Sequence, residues 1–121
     1  MPISKSILVV DDNGINRIVP GLILRPFGWT VHEAESGLDA LEQIDRLDVS
    51  CVLLDISMPE MSGLEVLEVL RKNEKFSKLK VFAYTALAQG DELNQLQNRG
   101  FDAILLKPLT SQKLIKALND N

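Results

Sequence analysis

The stretch Ile7-Leu8-Val9-Val10-Asp11-Asp12 determines how the rest of this sequence is interpreted. A continuous run of four branched apolar residues is typical of a strand that is buried on both faces, as in a parallel sheet. The two aspartates follow at the C-terminal end of that strand, where open α/β sheets bind their ligands. Because adjacent carboxylates repel each other, a hard divalent cation such as Mg²⁺ is their natural partner. The stretch therefore predicts a parallel α/β sheet with a metal site at one edge.

Strand and helix patterns alternate five times along the chain of 121 residues. The predicted strands are 7–10, 29–34, 51–55, 80–84 and 103–106, and the predicted helices are 15–24, 36–47, 62–70, 90–98 and 110–119. We expect an α/β, flavodoxin-like (βα)5 fold, in which a doubly wound parallel sheet of strand order 2-1-3-4-5 lies between two helical layers. Residues 1–121 then form one domain. Pro20-Gly21 predicts a kink or a broken turn in the first helix, because proline removes a helical hydrogen bond.

Composition and charge exclude several classes of function. A net charge of -4 argues against nucleic acid or an anionic membrane as a partner. No apolar run approaches the ~20 residues of a membrane span, and the N-terminus lacks a signal-peptide pattern, so we expect a cytoplasmic protein. The single cysteine, Cys51, lies in an apolar run and is interpreted as a small buried hydrophobe. The single histidine, His32, is interpreted as a surface residue of a strand.

Five polar side chains fall at the C-terminal ends of the predicted strands. They are Asp11 and Asp12 after the first strand, Asp55 after the third, Thr85 after the fourth and Lys107 after the fifth. Because the first and third strands are neighbours in the order 2-1-3-4-5, the three carboxylates would converge, with the hydroxyl and the ammonium beside them. Their formal charge of about -2 at neutral pH would be neutralised by one Mg²⁺ ion. Such a site could accept a dianionic phosphoryl group.

The chemistry that this set predicts is phosphoryl transfer. Asp55 would be the nucleophile and would form an aspartyl phosphate. Asp12 and Asp55, with a backbone carbonyl near Ser57, would hold the metal, and Asp11 would join directly or through water. Mg²⁺ and the lysine would stabilise charge on the phosphoryl oxygens, and the threonine hydroxyl would donate a hydrogen bond to one of them.

The same residues lie in four blocks that resemble the receiver domain of bacterial two-component response regulators, including single-domain chemotaxis regulators. The blocks are Val9-Val10-Asp11-Asp12-Asn13, Leu53-Leu54-Asp55-Ile56-Ser57-Met58-Pro59 with Ser62-Gly63-Leu64-Glu65, Tyr84-Thr85-Ala86, and Leu106-Lys107-Pro108. The resemblance covers about residues 6–119. It implies that a histidine kinase or a histidine phosphotransfer protein phosphorylates Asp55. It also implies Mg²⁺ held by Asp12, Asp55 and the Ser57 carbonyl, with Asp11 assisting, and a cis Lys107-Pro108 peptide bond.

The resemblance also implies an output surface on the fourth helix, the fifth strand and the fifth helix. Because the chain ends at Asn121 without a DNA-binding segment, we expect its output to pass by contact with a downstream protein. Alternatively, the chain is a receiver excised from a longer regulator or hybrid kinase. Asp11-Asp12-Asn13 followed by Asn16-Arg17 is similar to the receivers of hybrid kinases and phosphorelays.

Three positions depart from the family pattern. Ile104 replaces an aromatic residue whose rotamer often couples to the threonine, so we expect signalling through loop and helix movement. Pro20-Gly21 lies in the helix that docks the phosphodonor in the family, and would tune the choice of partner. Leu87 occupies a position that lies near the mouth of the site in the family, and an apolar side chain there would hinder a hydrolytic water and lengthen the lifetime of the phosphoryl group.

Three other functions are compatible with the same fold. A flavin- or nucleotide-binding protein would hold phosphate on a Gly/Ser/Thr-rich loop after the first strand, whereas this loop begins with two aspartates. An interaction module that is never phosphorylated usually lacks some of the acidic residues or the lysine. A metal-dependent phosphatase is disfavoured because Ser57, and not a second aspartate, lies two residues after Asp55.

Overall fold

The computed structural model describes residues 5–86, 96 and 99–120 of the chain. The strands are β1 (Ser6–Val10), β2 (Thr30–Ala34), β3 (Cys51–Asp55), β4 (Lys80–Thr85) and β5 (Ala103–Leu106). The helices are α1 (Gly14–Leu24), α2 (Gly37–Arg46), α3 (Gly63–Lys72) and a C-terminal helix (Ser111–Asp120), and a 3-10 turn (Arg25–Phe27) follows α1. The predicted fourth helix, 90–98, lies outside the described residues except for Leu96, which is buried. None of the described helices is long and apolar enough to cross a membrane.

The five strands form one parallel sheet in the order β2-β1-β3-β4-β5, which confirms the predicted topology. The central strands β1 and β3 are buried along their whole length because helices cover both faces of the sheet. One core cluster joins the sheet to α2 and α3, and a second joins it to α1 and the C-terminal helix. Cys51 is buried in the second cluster, as expected, and burial raises the pKa of its thiol to about 12.

The register of β1 against β3 brings Asp11 and Asp55 together at the edge of the sheet. Val10 pairs with Leu54, so the next residues along the two parallel strands, Asp11 and Asp55, lie side by side at the sheet edge. Side chains alternate between the faces of a strand, and Val9 and Leu53 face α1 and the C-terminal helix. Asp11 and Asp55 come two residues later and therefore project toward that same side.

The sequence predicted a kink or a broken turn in the first helix at Pro20-Gly21. The expected broken turn does not occur, because α1 is helical without interruption from Gly14 to Leu24. A proline inside a helix costs one backbone hydrogen bond, but Pro20 and Gly21 are buried against the rest of the domain, and this burial offsets the loss. The Asn13 side chain also caps the helix by accepting hydrogen bonds from the N–H groups of Ile15 and Asn16. Tertiary packing thus outweighs the local preference of the proline.

The start of α3 is held close to the end of β3. Ser62 and Glu65 form a capping box, in which each side chain accepts a hydrogen bond from the backbone N–H of the other. Gly63 follows the cap, and a Cβ atom there would collide with the carbonyl oxygen of Asp55 and lie 2.9 Å from the Cα of Ile56. Only glycine allows this approach, so the capping sequence also sets the position of the loop beside Asp55.

Candidate functional site

Three carboxylates converge at the C-terminal edge of the sheet, as the sequence predicted. Asp11, Asp12 and Asp55 each offer an oxygen, and these oxygens all lie within 4.8 Å of one another. Asp11 and Asp55 are buried, with 0% and 3% of their surface exposed, whereas Asp12 is open to solvent. Two buried acids beside an exposed one make a site that a cation can enter from the solvent side.

Lys107 reaches into this group from the segment after β5. Its Nζ lies 3.2 Å from Asp11 Oδ2 and 3.6 Å from Asp55 Oδ1, so one ammonium bridges both buried carboxylates. Its backbone N–H donates to the carbonyl of Thr85 at 2.9 Å, which ties the end of β5 to the end of β4. The Lys107-Pro108 peptide bond is cis, as the family resemblance implied.

The ammonium only partly compensates the negative charge of the site. The pKa of Asp55 is raised from 3.8 to about 6, first by burial and then by the charge of Asp11. The ammonium of Lys107 and the N–H of Ser57, which donates to Asp55 Oδ1 at 3.2 Å, lower this pKa but do not outweigh those effects. The residues present therefore suit a further cation, and three carboxylates are the hard oxygen ligands that Mg²⁺ prefers.

The loop between β1 and α1 is held by contacts that the sequence analysis did not identify. The N–H of Asn13 donates to Asp11 Oδ1 at 2.9 Å, and Arg17 Nη1 donates to the backbone carbonyl of Asp11 at 2.8 Å. Arg17 Nε also pairs with Glu33 Oε1 on β2 at 3.1 Å. The Asn16-Arg17 pair appeared in the sequence only as a sign of subtype, whereas in the structure this arginine fixes the backbone that carries two of the acids.

Thr85 and Ser57 lie where the sequence placed them, at the ends of β4 and β3. Thr85 is fully buried, and Ser57 is exposed two residues after Asp55. A phosphoryl contact for the Thr85 hydroxyl and a metal contact for the Ser57 carbonyl stay predictions. Tyr84, which the sequence analysis did not single out, lies with its ring centroid 4.7 Å from Lys107 Nζ. The only sequence signal for it was an aromatic residue directly before the threonine.

Comparison with known proteins agrees with this geometry. A family profile described as the response regulator receiver domain matches residues 7–119. The chain is 30% identical over 115 residues to the polar-differentiation response regulator DivK of Brucella ovis, and the match covers 95% of this chain and 94% of DivK.

Solved structures share the fold. The chemotaxis protein CheY4 of Vibrio cholerae superposes with a TM-score of 0.89 at 23% identity and covers 98% of both chains. The receiver domain of the sensor histidine kinase PA1611 from Pseudomonas aeruginosa has a TM-score of 0.86 at 30% identity, over 98% of this chain and 97% of that one. The PA1611 structure contains a magnesium ion coordinated in its active-site cleft.

Proposed function

Because the chain belongs to the response regulator receiver domain family, it is a phosphoacceptor switch of two-component signalling, and we propose that Asp55 accepts the phosphoryl group. The observation that carries this proposal is the convergence of Asp11, Asp12 and Asp55 with the ammonium of Lys107. Asp55 alone of the three ends the central strand β3 and lies next to both the lysine and the loop that leads to α3. A phosphoryl group on it would therefore change contacts on several elements at once.

We propose that Asp11, Asp12, Asp55 and the Ser57 carbonyl hold a Mg²⁺ ion. The fit rests on the unbalanced negative charge of the site and on the oxygen ligands it offers, and the magnesium ion of the PA1611 receiver supports it. When bound, Mg²⁺ supplies positive charge to the carboxylates and to the oxygens of an incoming phosphoryl group.

The residues of the chain itself have distinct roles in the transfer. An oxygen of Asp55 forms the new bond to phosphorus while the bond from phosphorus to the donor nitrogen breaks, and the donor imidazole leaves with the electron pair. Lys107, 3.6 Å from the accepting carboxylate, offsets the charge of the phosphoryl oxygens. We assign the Thr85 hydroxyl as a hydrogen-bond donor to one of these oxygens.

The family implies that the phosphodonor is a histidine kinase, and we propose α1 as the surface on which that kinase or a histidine phosphotransfer protein docks. Ile15, Ile18 and Leu22 lie on one side of α1 and are exposed by 76%, 48% and 68%. An apolar stripe of this kind marks an interaction surface, and it begins four residues after Asp11. These exposed apolar side chains thus form a contact face on α1.

For the output we propose the surface formed by the predicted fourth helix, β5 and the C-terminal helix. In the described part of this surface, a cavity of about 370 Å³ lies between β5 and the C-terminal helix, lined by Ile104 and Leu106 and flanked by Lys113 and Lys116. On the ground of family membership we also propose that residues 1–121 act as one receiver domain and that the domain works in the cytoplasm.

Incubation with a small phosphodonor and Mg²⁺, followed by intact-mass measurement, tests the assignment of Asp55. We expect one added phosphoryl group on the wild-type protein and none on Asp55→Asn or in the absence of a divalent cation. Asp45→Asn is the matched control, because the Asp45 side chain is 75% exposed on α2 and lies outside the acidic cluster. A phosphoryl group on Asp55→Asn would refute the assignment.

A further inference from the structure

The phosphoacceptor site contains an aromatic side chain beneath its lysine. Lys107 Nζ lies 4.7 Å from the ring centroid of Tyr84, within the range of a cation–π interaction. We propose that Tyr84 is a positioning residue, whose ring holds the Lys107 ammonium beside Asp55. This inference rests on the role proposed above for Asp55 and Lys107, and it assigns a part to a residue outside the acidic cluster.

The sheet register places Tyr84 between the two groups that it would connect. Tyr84 pairs with Asp55 on β3 and with Leu105 on β5. The ring packs in the core cluster that contains Leu53 and Leu105, so it lies on the α1 and C-terminal-helix side of the sheet. Asp55 comes two residues after Leu53 within β3 and projects to the same side. Lys107 reaches this side from the segment after β5, and its Nζ lies 3.6 Å from Asp55 Oδ1.

The ion pairs of Lys107 do not by themselves direct it to the accepting carboxylate. Its Nζ is closer to Asp11, at 3.2 Å, than to Asp55, at 3.6 Å. The ring of Tyr84 belongs to the strand next to Asp55 and adds a third attraction on that side. A lysine side chain has four rotatable bonds and a large rotamer entropy, so a third contact narrows the positions that its ammonium can occupy.

The attraction of the ring also differs in kind from that of the carboxylates. A cation that binds Asp11 and Asp55 reduces their pull on the lysine, whereas the quadrupole of the ring is permanent. The side chain of Lys107 is 18% exposed and Tyr84 is 2% exposed, so the interaction is largely desolvated and is stronger than one at an open surface. The ring thus retains the ammonium when the metal competes for its other partners.

The packing of Tyr84 suits positioning better than switching. The ring belongs to the same core cluster as Leu24 of α1 and Leu114 of the C-terminal helix, which hold it inside the domain. Ile104 occupies the β5 position where the family often has an aromatic residue. In this chain the aromatic side chain at the site therefore comes from β4, and its buried position is a fixed one.

Nuclear magnetic resonance detects the contact directly. Protons of the Lys107 ε-methylene group over an aromatic face resonate upfield of their usual position, and we expect this shift in the metal-free protein and with Mg²⁺ bound. Tyr84→Phe should retain the shift and Tyr84→Leu should abolish it. An upfield shift that disappears when Mg²⁺ is added to the wild-type protein would overturn the inference, because the ring would then not hold the lysine in the working site.

The rate of phosphorylation distinguishes a positioning role of Tyr84 from a role in packing alone. With a small phosphodonor we expect Tyr84→Leu to be phosphorylated about three- to thirty-fold more slowly, the range that a cation–π contact supplies, with an unchanged Kd for Mg²⁺. Tyr84→Phe keeps the aromatic ring and should be phosphorylated at the wild-type rate. Phe82→Leu is the matched control: it removes a buried ring from the same face of the same strand without touching the lysine, and its rate should stay at the wild-type value.

Fluorinated phenylalanines at position 84 provide a test in which the shape of the ring is conserved. Each added fluorine weakens the negative face of the ring, so the phosphorylation rate should fall stepwise as fluorines are added. Equal rates across this series would overturn the role of Tyr84 while leaving Asp55 as the acceptor. Failure of the wild-type protein to become phosphorylated would instead refute the proposed function itself.

Discussion

Removal of the charge on Asp55 should stabilise the protein when no divalent cation is present. The pKa of this carboxyl is raised from 3.8 to about 6 by burial and by the negative charge of Asp11. Each pKa unit corresponds to 1.36 kcal/mol, so the ionised Asp55 destabilises the folded state at pH 7 by about 3 kcal/mol as an upper limit. The open side of the site at Asp12 admits water, and we therefore expect Asp55→Asn to gain about 1–3 kcal/mol.

The raised pKa of Asp55 also fixes how the stability of the protein changes with pH. A carboxyl whose pKa is higher in the folded state binds its proton more tightly there than in the unfolded chain, so folding is favoured by protonation. Without metal, the stability of the wild-type protein should therefore fall as the pH rises from about 4 to about 6, and the full penalty is present above that range. Asp55→Asn lacks this contribution, so the gap between the two proteins should widen toward pH 7 and close below pH 4.

Thermal unfolding followed by circular dichroism in a chelating buffer measures this difference. For a domain of this size, about 1–3 kcal/mol corresponds to an increase in Tm of roughly 4–15 °C at pH 7. Mg²⁺ should raise the Tm of the wild-type protein much more than that of Asp55→Asn, because binding to the folded state stabilises it. Asp45→Asn, an exposed aspartate outside the site, is the control and should follow the wild type. An Asp55→Asn protein less stable than the wild type at pH 7 without metal would refute the electrostatic reasoning.

Three further changes test the backbone, the docking face and the lifetime of the phosphoryl group. Gly63→Ala should lower the free energy of unfolding by about 2 kcal/mol or more, because its Cβ would collide with the last carbonyl of β3. Gly14→Ala is the control, since a Cβ atom has room there. Equal stabilities of the two variants in a denaturant titration would contradict this prediction. Ile18→Asp should slow phosphotransfer from a histidine phosphotransfer protein about tenfold and leave the rate with a small phosphodonor unchanged. Val69→Asp, an exposed apolar position on α3, is the control. An equal loss of rate with both donors would exclude α1 as the docking face. Leu87 lies outside the described residues, and Leu87→Glu should shorten the lifetime of the phosphorylated protein; an unchanged decay rate would remove that hypothesis.

Local sequence patterns were sufficient to predict the architecture and the acidic part of the site. Uninterrupted apolar runs predicted strands covered on both faces, and helical segments between them required parallel pairing and crossover connections. Parallel strands all end at the same edge, so aspartates directly after β1 and β3 had to meet once these strands were neighbours. These features are encoded by position along the chain, which is why the sequence alone reveals them.

Tertiary structure decided the features that depend on side chains from distant elements. Pro20 lies in an unbroken helix because burial against the domain offsets one lost hydrogen bond, and local propensity contains no information about that burial. Arg17 reaches the Asp11 carbonyl and Glu33 only because α1 packs beside β2. Likewise, the contact between Tyr84 and Lys107 depends on strand register, on the face that each side chain occupies and on the path of the backbone after β5. Those three quantities arise only when the sheet is assembled, since no pattern within a single segment specifies them.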